Sequence, residues 1–237
     1  MTGRVARVVQ LSDTHLSAAR GVPATWRSTI EWLRADPPDL VVHSGDIVLD
    51  DPDDEADRDF ARGLLTEIPG ALVVIPGNHD VWFYDEAPPV LERRAAAFRA
   101  AWGHDRFARD LAGWRLVGVD AYLLGEDAHD TWFRDAVSAT GPVLVFVHQP
   151  VRGDRDDEWR MSDAARAAFD AAIAGADVRV VASGHRHRWR RDGPAVWAPS
   201  LTITGEDHDD VGDPALGFLE HTLSPDGGYD VRVVRPG

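Results

Sequence analysis

The chain has 237 residues, which is enough for one domain with its own buried core, and we expect a single domain over residues 1–237. Its formal net charge of −15 argues against broad binding to a nucleic acid polymer or to an anionic membrane surface. The sequence contains no cysteine, which excludes disulfides, thiolate metal sites and cysteine nucleophiles. Any metal must therefore be held by nitrogen and oxygen donors.

No segment reads as a signal peptide or a membrane span. The N-terminal stretch MTGRVARVVQL is short and interrupted by arginine, and no apolar run approaches the roughly 18 residues that a span requires. We therefore expect a soluble, cytoplasmic protein without a membrane partner. The sequence leaves the oligomeric state open.

Short β-branched runs alternate with helical patterns along most of the chain. Strands are predicted at VARVVQL, LVVHS, ALVVIP, WRLVGVD, VLVFV and VRVVAS, and helices around 23–34, 56–65, 91–101, 131–136 and 163–173. From Arg188 onward the helical patterns stop, and short segments separated by glycine and proline predict a β-rich C-terminal portion. This order is typical of an α/β protein with largely buried sheets.

Most of the polar clusters that suggest chemistry follow directly on a predicted strand. They are Asp13-Thr14-His15, Ser44-Gly45-Asp46, Gly77-Asn78-His79-Asp80, His148-Gln149-Pro150 and Gly184-His185-Arg186-His187. Ligand sites of open α/β sheets gather beyond the carboxyl ends of the strands, so we expect these clusters to form one site. Each cluster alone is more often structural, whereas five together indicate function. Residues i and i+2 of an extended segment point the same way, so Asp13 with His15 can present two ligands to one place.

The donors in these clusters are two or three carboxylate or amide oxygens and four imidazoles. Such a set suits Mn, Fe, Zn, Co or Ni better than Ca or Mg. Seven donors are too many for one tetrahedral ion, but they fit two ions that share a carboxylate, as in two-metal phosphoryl hydrolysis. The sequence therefore predicts two divalent ions, with Mn, Fe or Zn as the candidates.

The ordered series D-x-H, G-D, G-N-H-D, H and G-H-x-H, which runs from Asp13 to His187, resembles the calcineurin-like metallophosphoesterase superfamily. Within it, LSDTHL, GHRHR and HQP are most similar to the bacterial class III cyclic-nucleotide phosphodiesterases. The resemblance implies a four-layer α-β-β-α sandwich of two mixed sheets flanked by helices, and a reaction in which a hydroxide between two metals attacks phosphorus.

The resemblance also implies a role for each motif residue. Asp13, His15 and His187 would hold one metal, and Asn78, His148 and His185 the other. Asp46 would bridge the two metals. His79 would lie near the leaving oxygen, as a general acid or as a hydrogen-bond donor to the phosphate.

One position departs from the family pattern. The G-D motif usually reads G-D-x-x-D, where the second aspartate orients the histidine of G-N-H, but Leu49 stands at that position here. Asp50, one residue later, or Asp80 can take the orienting role for His79, or the histidine goes without an orienting acid.

The sequence thus predicts a phosphodiesterase whose partner is a small, cyclic-nucleotide-like phosphate ester. A phosphomonoesterase or a nucleotide pyrophosphohydrolase on the same core is the alternative within enzymes, and a non-catalytic scaffold is the alternative outside them. The aromatic run Trp82-Phe83-Tyr84 directly after G-N-H-D either stacks on a nucleobase or simply packs.

Overall fold

The computed structural model describes residues 4–49, 51–82, 88–152, 160–205 and 212–235. Within these ranges the strands are β1 Ala6–Leu11, β2 Leu40–His43, β3 Leu72–Val74, β4 Phe107–Leu111, β5 Trp114–Val119, β6 Val143–Val147, β7 Val178–Ser183, β8 Arg190–Asp192, β9 Ala195–Trp197, β10 Phe218–Leu223 and β11 Tyr229–Val234. The helices are α1 Ala24–Ala35, α2 Glu55–Leu65, α3 Asn78–Val81, α4 Pro88–Trp102, α5 Asp127–Val137 and α6 Asp163–Ile173. A short 3₁₀ turn covers Ala121–Leu123.

The strands form two mixed sheets. The first has the order β11-β10-β1-β2-β3, with β1, β2 and β3 parallel and β10 and β11 antiparallel to their neighbours. The second has the order β4-β5-β6-β7-β9-β8, with β5, β6, β7 and β9 parallel. The parallel strands of each sheet end at a common edge, which is where the predicted polar clusters lie.

The apolar residues are buried in three layers, which confirms the four-layer α-β-β-α sandwich. Val9 of β1 packs with Leu33 of α1 and Leu64 of α2 on the outer face of the first sheet. The neighbouring Val8 instead faces the second sheet, where it packs with Phe146 of β6. A third cluster joins the outer face of the second sheet to α5 and α6. Because both faces of both sheets are covered, the central strands read as continuous apolar runs rather than as alternating ones.

Local capping explains where two helices begin. The Asp54 carboxylate accepts hydrogen bonds from the backbone N–H groups of Ala56 and Asp57, so the acidic run around residue 54 starts α2. The Ser162 hydroxyl does the same for Ala165 and starts α6.

The five predicted helices and the β-rich C-terminal portion are present, but the sequence reading missed β4. This strand pairs with β5 in an antiparallel hairpin. Its middle three residues are exposed, so it lacks the apolar run by which the other strands were found. In the described part of the chain, no helix combines the length and the apolar character that crossing a membrane demands.

Candidate metal centre

The loops that follow five parallel strands meet at one place between the two sheets. Asp13 and His15 follow β1, Asp46 follows β2, Asn78 begins α3 after β3, His148 follows β6, and His185 and His187 follow β7. We call these seven residues the candidate metal centre. The structure brings all seven together.

Backbone hydrogen bonds hold the loops in register. The N–H of Asp13 donates to the carbonyl of Gly45 at 2.9 Å, which joins the loops after β1 and β2. The N–H of Gly184 donates to the carbonyl of His148 at 3.0 Å, which joins those after β7 and β6. The N–H of His185 donates to both Asp13 carboxylate oxygens at 3.1 Å and so ties one sheet to the other.

The first group of donors consists of Asp13, His15, Asp46 and His187, whose donor atoms all lie within 4.8 Å of one another. The Nε2 atoms of His15 and His187 face each other at 3.0 Å. The Nε2 atom of His187 also lies 3.4 Å from Oδ1 of Asp13. All four residues are buried. Four nitrogen and oxygen donors converging without solvent are what a transition-metal site requires.

The second group consists of Asp46, His148 and His185, so that Asp46 belongs to both groups. Asn78 joins this group, because its Oδ1 lies 3.2 Å from Nε2 of His148. The same Nε2 lies 3.3 Å from Oδ2 of Asp46. On the other side of the ring, Nδ1 donates to the carbonyl of Ser44 at 2.9 Å. Since a carbonyl only accepts, this bond fixes the tautomer that leaves Nε2 available to a metal.

The backbone at this site is strained. Among the described residues, six non-glycine residues have positive φ, and five of them belong to the candidate metal centre: Asp13, His15, Asp46, His185 and His187, with φ between 42° and 70°. Such conformations cost about 1–3 kcal/mol each and cluster at functional sites. They also correct the expectation that the D-x-H pair lies on an extended segment, since the two side chains converge through left-handed turns.

Two glycines allow the loops to approach closely. A Cβ atom on Gly45, whose φ is +104°, would lie 2.6 Å from Nδ1 of His148. A Cβ atom on Gly184 would lie 2.5 Å from Oδ2 of Asp13. Contacts this short do not occur in folded proteins, so both positions need glycine.

The charges favour metal binding. Burial lowers the pKa values of His15 and His185 to about 3, so both imidazoles are neutral. Burial would raise the pKa of Asp46, but the neighbouring imidazoles, His148 foremost, hold it well below its usual range. Burial also opposes charge on His148, yet the Asp46 carboxylate outweighs that effect and raises the pKa to about 9. Neutral imidazoles and an ionised carboxylate are the forms that coordinate cations, so His148 must release its proton when a metal binds.

The donor chemistry fits two divalent ions. The Nε2 atom of His15 lies 3.0 Å from Nε2 of His187 and 3.9 Å from Oδ2 of Asp46, so these donors converge as they would around a shared cation. Both donor groups contain oxygen and imidazole nitrogen and share one carboxylate. The assignment of each ligand to one of two metals, with Asp46 between them, stays a prediction.

His79 lies at the rim of the first donor group. Its backbone N–H donates to Oδ1 of Asp46 at 2.9 Å. Its ring lies 4.9 Å from the His15 ring, centroid to centroid, at a right angle. The residue is partly exposed, as is His185, whereas the other six proposed ligands are buried. This position suits contact with a substrate that enters from solvent.

The question of an orienting acid for His79 has a partial answer. Leu49 is buried at the position where the family has aspartate. Asp80 has a different role, because its carboxylate accepts hydrogen bonds from the N–H groups of Ile47, Val48 and Gly77. Asp80 therefore braces the G-D loop against the G-N-H-D loop. Asp50, the other candidate, lies outside the described residues, as do Phe83 and Tyr84 of the aromatic run.

The sequence reading missed Tyr122. This residue lies in the 3₁₀ turn after β5, at the same sheet edge as His148 after β6. Its ring stacks on Trp82, with the centroids 5.9 Å apart and the planes 17° apart. The one feature of the sequence that could have indicated Tyr122 is its position three residues after β5, a strand that the sequence did predict.

Two mixed sheets with seven oxygen and nitrogen donors at their common edge, six of them buried, define a class of α/β protein whose site can hold a pair of divalent ions. The family model that matches the chain is described as "Calcineurin-like phosphoesterase" and covers residues 6–189. The chain belongs to this family.

Individual relatives are more distant. A curated relative, serine/threonine-protein phosphatase CPPED1 from Bos taurus, is 27% identical over 154 residues, which cover 56% of this chain and 47% of the relative. The chain thus matches about half the length of that protein.

Solved structures share the fold. A dimetal phosphatase from Danio rerio superimposes with a TM-score of 0.68 at 14% identity and covers 98% of this chain and 99% of its own. The purple acid phosphatase PPD1 from yellow lupin (Lupinus luteus) gives 0.63 at 13% identity, over 98% and 54%. GAP50, an anchor in the inner membrane complex of Plasmodium, gives 0.69 at 12% identity, over 98% and 85%. Since an anchor and two phosphatases share this fold, the side chains must decide the function.

Proposed function

We propose that the chain is a two-metal phosphoesterase that hydrolyses the diester bonds of small, cyclic-nucleotide-like substrates. The observation that carries this proposal is the pair of buried donor groups joined through Asp46. A scaffold on this fold has no need of seven clustered donors, six of them buried, or of five strained ligand residues, whereas a two-metal hydrolase uses such a cluster.

In this proposal each donor group holds one divalent ion, of Mn, Fe or Zn. Asp13, His15 and His187 form one site, and Asn78, His148 and His185 form the other. Asp46 contributes to both. When bound, the two ions lower the pKa of a water molecule toward neutrality and neutralise the charge on the phosphoryl oxygens.

The other residues position these ligands and handle the proton. The carbonyl of Ser44 holds the His148 ring in the ligating tautomer, and Asp80 holds the loop of Asp46 against the loop of Asn78. His79, at the exposed rim, donates a proton to the leaving oxygen or a hydrogen bond to the phosphate. Proton transfer of this kind contributes about 10²–10⁴-fold to a rate.

The preference for diesters is supported by the motifs LSDTHL and GHRHR, which resemble those of cyclic-nucleotide phosphodiesterases. A phosphomonoesterase is the second candidate, and it is supported by the curated relative and the zebrafish structure, both of which carry the name of a phosphatase. The two candidates share the candidate metal centre and differ in the group that the pocket must accept.

A substrate panel separates the two candidates. The protein is stripped with a chelator and reloaded with Mn, Zn, Fe or Mg, then assayed with bis-p-nitrophenyl phosphate, p-nitrophenyl phosphate, cyclic AMP and a dinucleoside polyphosphate. We expect the diesters to give the higher kcat/KM. A higher kcat/KM for p-nitrophenyl phosphate would contradict the phosphodiesterase and support the phosphomonoesterase.

Paired variants test the role of the centre. Asp46→Asn should lose bound metal and hydrolysis together. Asp105→Asn is the matched control, because Asp105 is also buried but pairs with Arg99 at 2.8 Å, and it should keep both. If the loaded wild-type protein hydrolyses none of the four substrates, the chain is a scaffold and the proposal fails.

A further inference from the structure

A cavity of about 330 Å³ lies beside two of the loops that carry the candidate metal centre, although none of the seven residues of the centre lines it. Its wall contains Trp82, Tyr122, Gln149, Arg160 and Ser162. Gln149 directly follows one of the proposed ligands, and Trp82 directly follows the short helix α3, which begins with another. The volume falls at the lower end of the range for small-molecule sites, about 300–1,000 Å³. The cavity therefore has room for one small organic group and not for a polymer.

One wall of this cavity is a stacked aromatic pair. Trp82 follows β3 of the first sheet and Tyr122 follows β5 of the second, so the pair bridges the two sheets at their ligand-bearing edge. The ring planes differ by 17°. Flat aromatic surfaces at the rim of a cavity favour a planar group, because rings gain from offset-stacked and edge-to-face contact.

Tyr122, which belongs to the cavity wall, also carries a polar group, its hydroxyl. Its oxygen is buried and has no hydrogen-bond partner among the described residues. Buried polar groups in native proteins are nearly always hydrogen-bonded, so this hydroxyl calls for a partner beyond the described residues, and a bound ligand can supply one.

The influence of nearby carboxylates on that hydroxyl indicates which part of the site it is close to. Burial raises the pKa of Tyr122 well above 10, and the Asp46 carboxylate raises it further. The effect of Asp46 is larger than that of Asp120, although Asp120 is only two residues from Tyr122 in the chain. Among the carboxylates, Asp46, which both donor groups share, therefore has the largest electrostatic influence on this hydroxyl. The hydroxyl also stays protonated at any physiological pH, so it acts as a donor.

We propose that this cavity holds the organic group of the substrate ester against the Trp82–Tyr122 pair, while the Tyr122 hydroxyl donates a hydrogen bond to a phosphoryl oxygen. This inference rests on the proposed phosphoesterase function. The substrates it selects are phosphate esters whose organic group carries a planar ring, such as an aryl or nucleoside group.

Two phosphonates that the enzyme does not hydrolyse test the cavity directly. The Mn-loaded wild-type protein is titrated with phenylphosphonate and with methylphosphonate in a calorimeter, which compares a ring with a methyl group on the same anion. We expect phenylphosphonate to bind about tenfold more tightly or better. Equal affinities would overturn the cavity proposal while leaving the phosphoesterase in place. If neither phosphonate binds, the proposed function fails, and this inference with it.

Variants then assign the effect to residues. Tyr122→Phe keeps the ring and should weaken both phosphonates by about tenfold, since it removes one hydrogen bond to a charged group. Trp82→Leu should abolish the preference for phenylphosphonate and leave methylphosphonate binding unchanged. Trp102→Leu is the control, because Trp102 ends α4 and packs on Phe98, and it should change neither affinity.

Metal content and circular dichroism verify that each variant is folded and loaded. Unchanged binding by Tyr122→Phe would overturn the hydrogen bond, and an undiminished ring preference in Trp82→Leu would overturn the aromatic wall. The wild-type comparison needs no variant, so the cavity can be refuted even where a variant does not fold.

Discussion

Replacing Asp120 by asparagine should stabilise the protein, and the gain should grow with pH. Asp120 is fully buried at the end of β5. Its Oδ1 accepts a hydrogen bond from the backbone N–H of Tyr122 at 2.9 Å, whereas its Oδ2 has no partner among the described residues. Asparagine has the same shape, and its side-chain oxygen keeps the hydrogen bond from Tyr122. The main effect of the substitution is therefore to remove the capacity to ionise.

The magnitude follows from the pKa of this carboxyl. Burial raises the pKa of Asp120 to about 8, from the ordinary value of 3.8 that the unfolded chain retains. Between these two values the folded state binds more protons than the unfolded state, so rising pH destabilises the wild-type fold by about 1.4 kcal/mol per unit. The penalty is absent below pH 3.8 and reaches about 4 kcal/mol at pH 7. The asparagine variant does not have this penalty, because its side chain cannot ionise.

Urea unfolding of both metal-free proteins at pH 5, 6, 7 and 8 measures the difference. We expect the stability of Asp120→Asn relative to wild type to rise at each step. Asp53→Asn serves as a control of opposite sign, because hydrogen bonds from Arg93 and Arg94 hold the pKa of Asp53 below its usual range. That variant should be less stable than wild type above pH 4 and lose the deficit in acid. A constant difference between Asp120→Asn and wild type from pH 5 to pH 8 would show that Asp120 is already ionised in the folded protein.

Three further substitutions test the site, and a fourth is a control. His79→Ala should keep its metal and lower kcat by about a hundredfold, the contribution of a general acid, and metal analysis beside steady-state rates would expose a fully active variant. Gly184→Ala should lose metal, because the new Cβ would lie 2.5 Å from Oδ2 of Asp13. The control Gly63→Ala, at an open position in the last turn of α2, should instead raise stability, by up to about 0.5–1 kcal/mol. Asp80→Ala should lower the free energy of unfolding by at least about 3 kcal/mol, since it leaves the N–H groups of three buried residues without an acceptor, and urea midpoints that match wild type would contradict this.

Much of the fold was predictable because its central strands are buried on both faces. Runs such as VLVFV of β6 are apolar throughout, and a periodic helix follows most of them, so the order of elements and the common sheet edge could be deduced. The β4–β5 hairpin could not, because only the first residue of β4, Phe107, is fully buried. A strand whose side chains are mostly exposed leaves little hydrophobic pattern in the sequence.

The ligand residues were predictable as an ordered series, but their geometry was not. Asp13 and His15 converge through left-handed backbone, a conformation that residue type does not announce. The bracing role of Asp80 depends on amides more than thirty residues earlier in the chain, and the surroundings of Tyr122 depend on Trp82 in the other sheet. Such roles exist only once distant segments meet.

The charges of the candidate metal centre also determine when a phosphate anion can bind. Asp13 and Asp46 stay ionised, because imidazole neighbours hold both pKa values below the usual range, while His15 and His185 are neutral. The positive charge on His148 offsets only part of the negative charge of these two carboxylates, and the whole chain has a formal net charge of −15. Two divalent ions carry more charge than the two carboxylates remove, so loading them reverses the local field without any arginine cluster. Metal binding and substrate binding must therefore be coupled, with each raising the affinity for the other by the same factor.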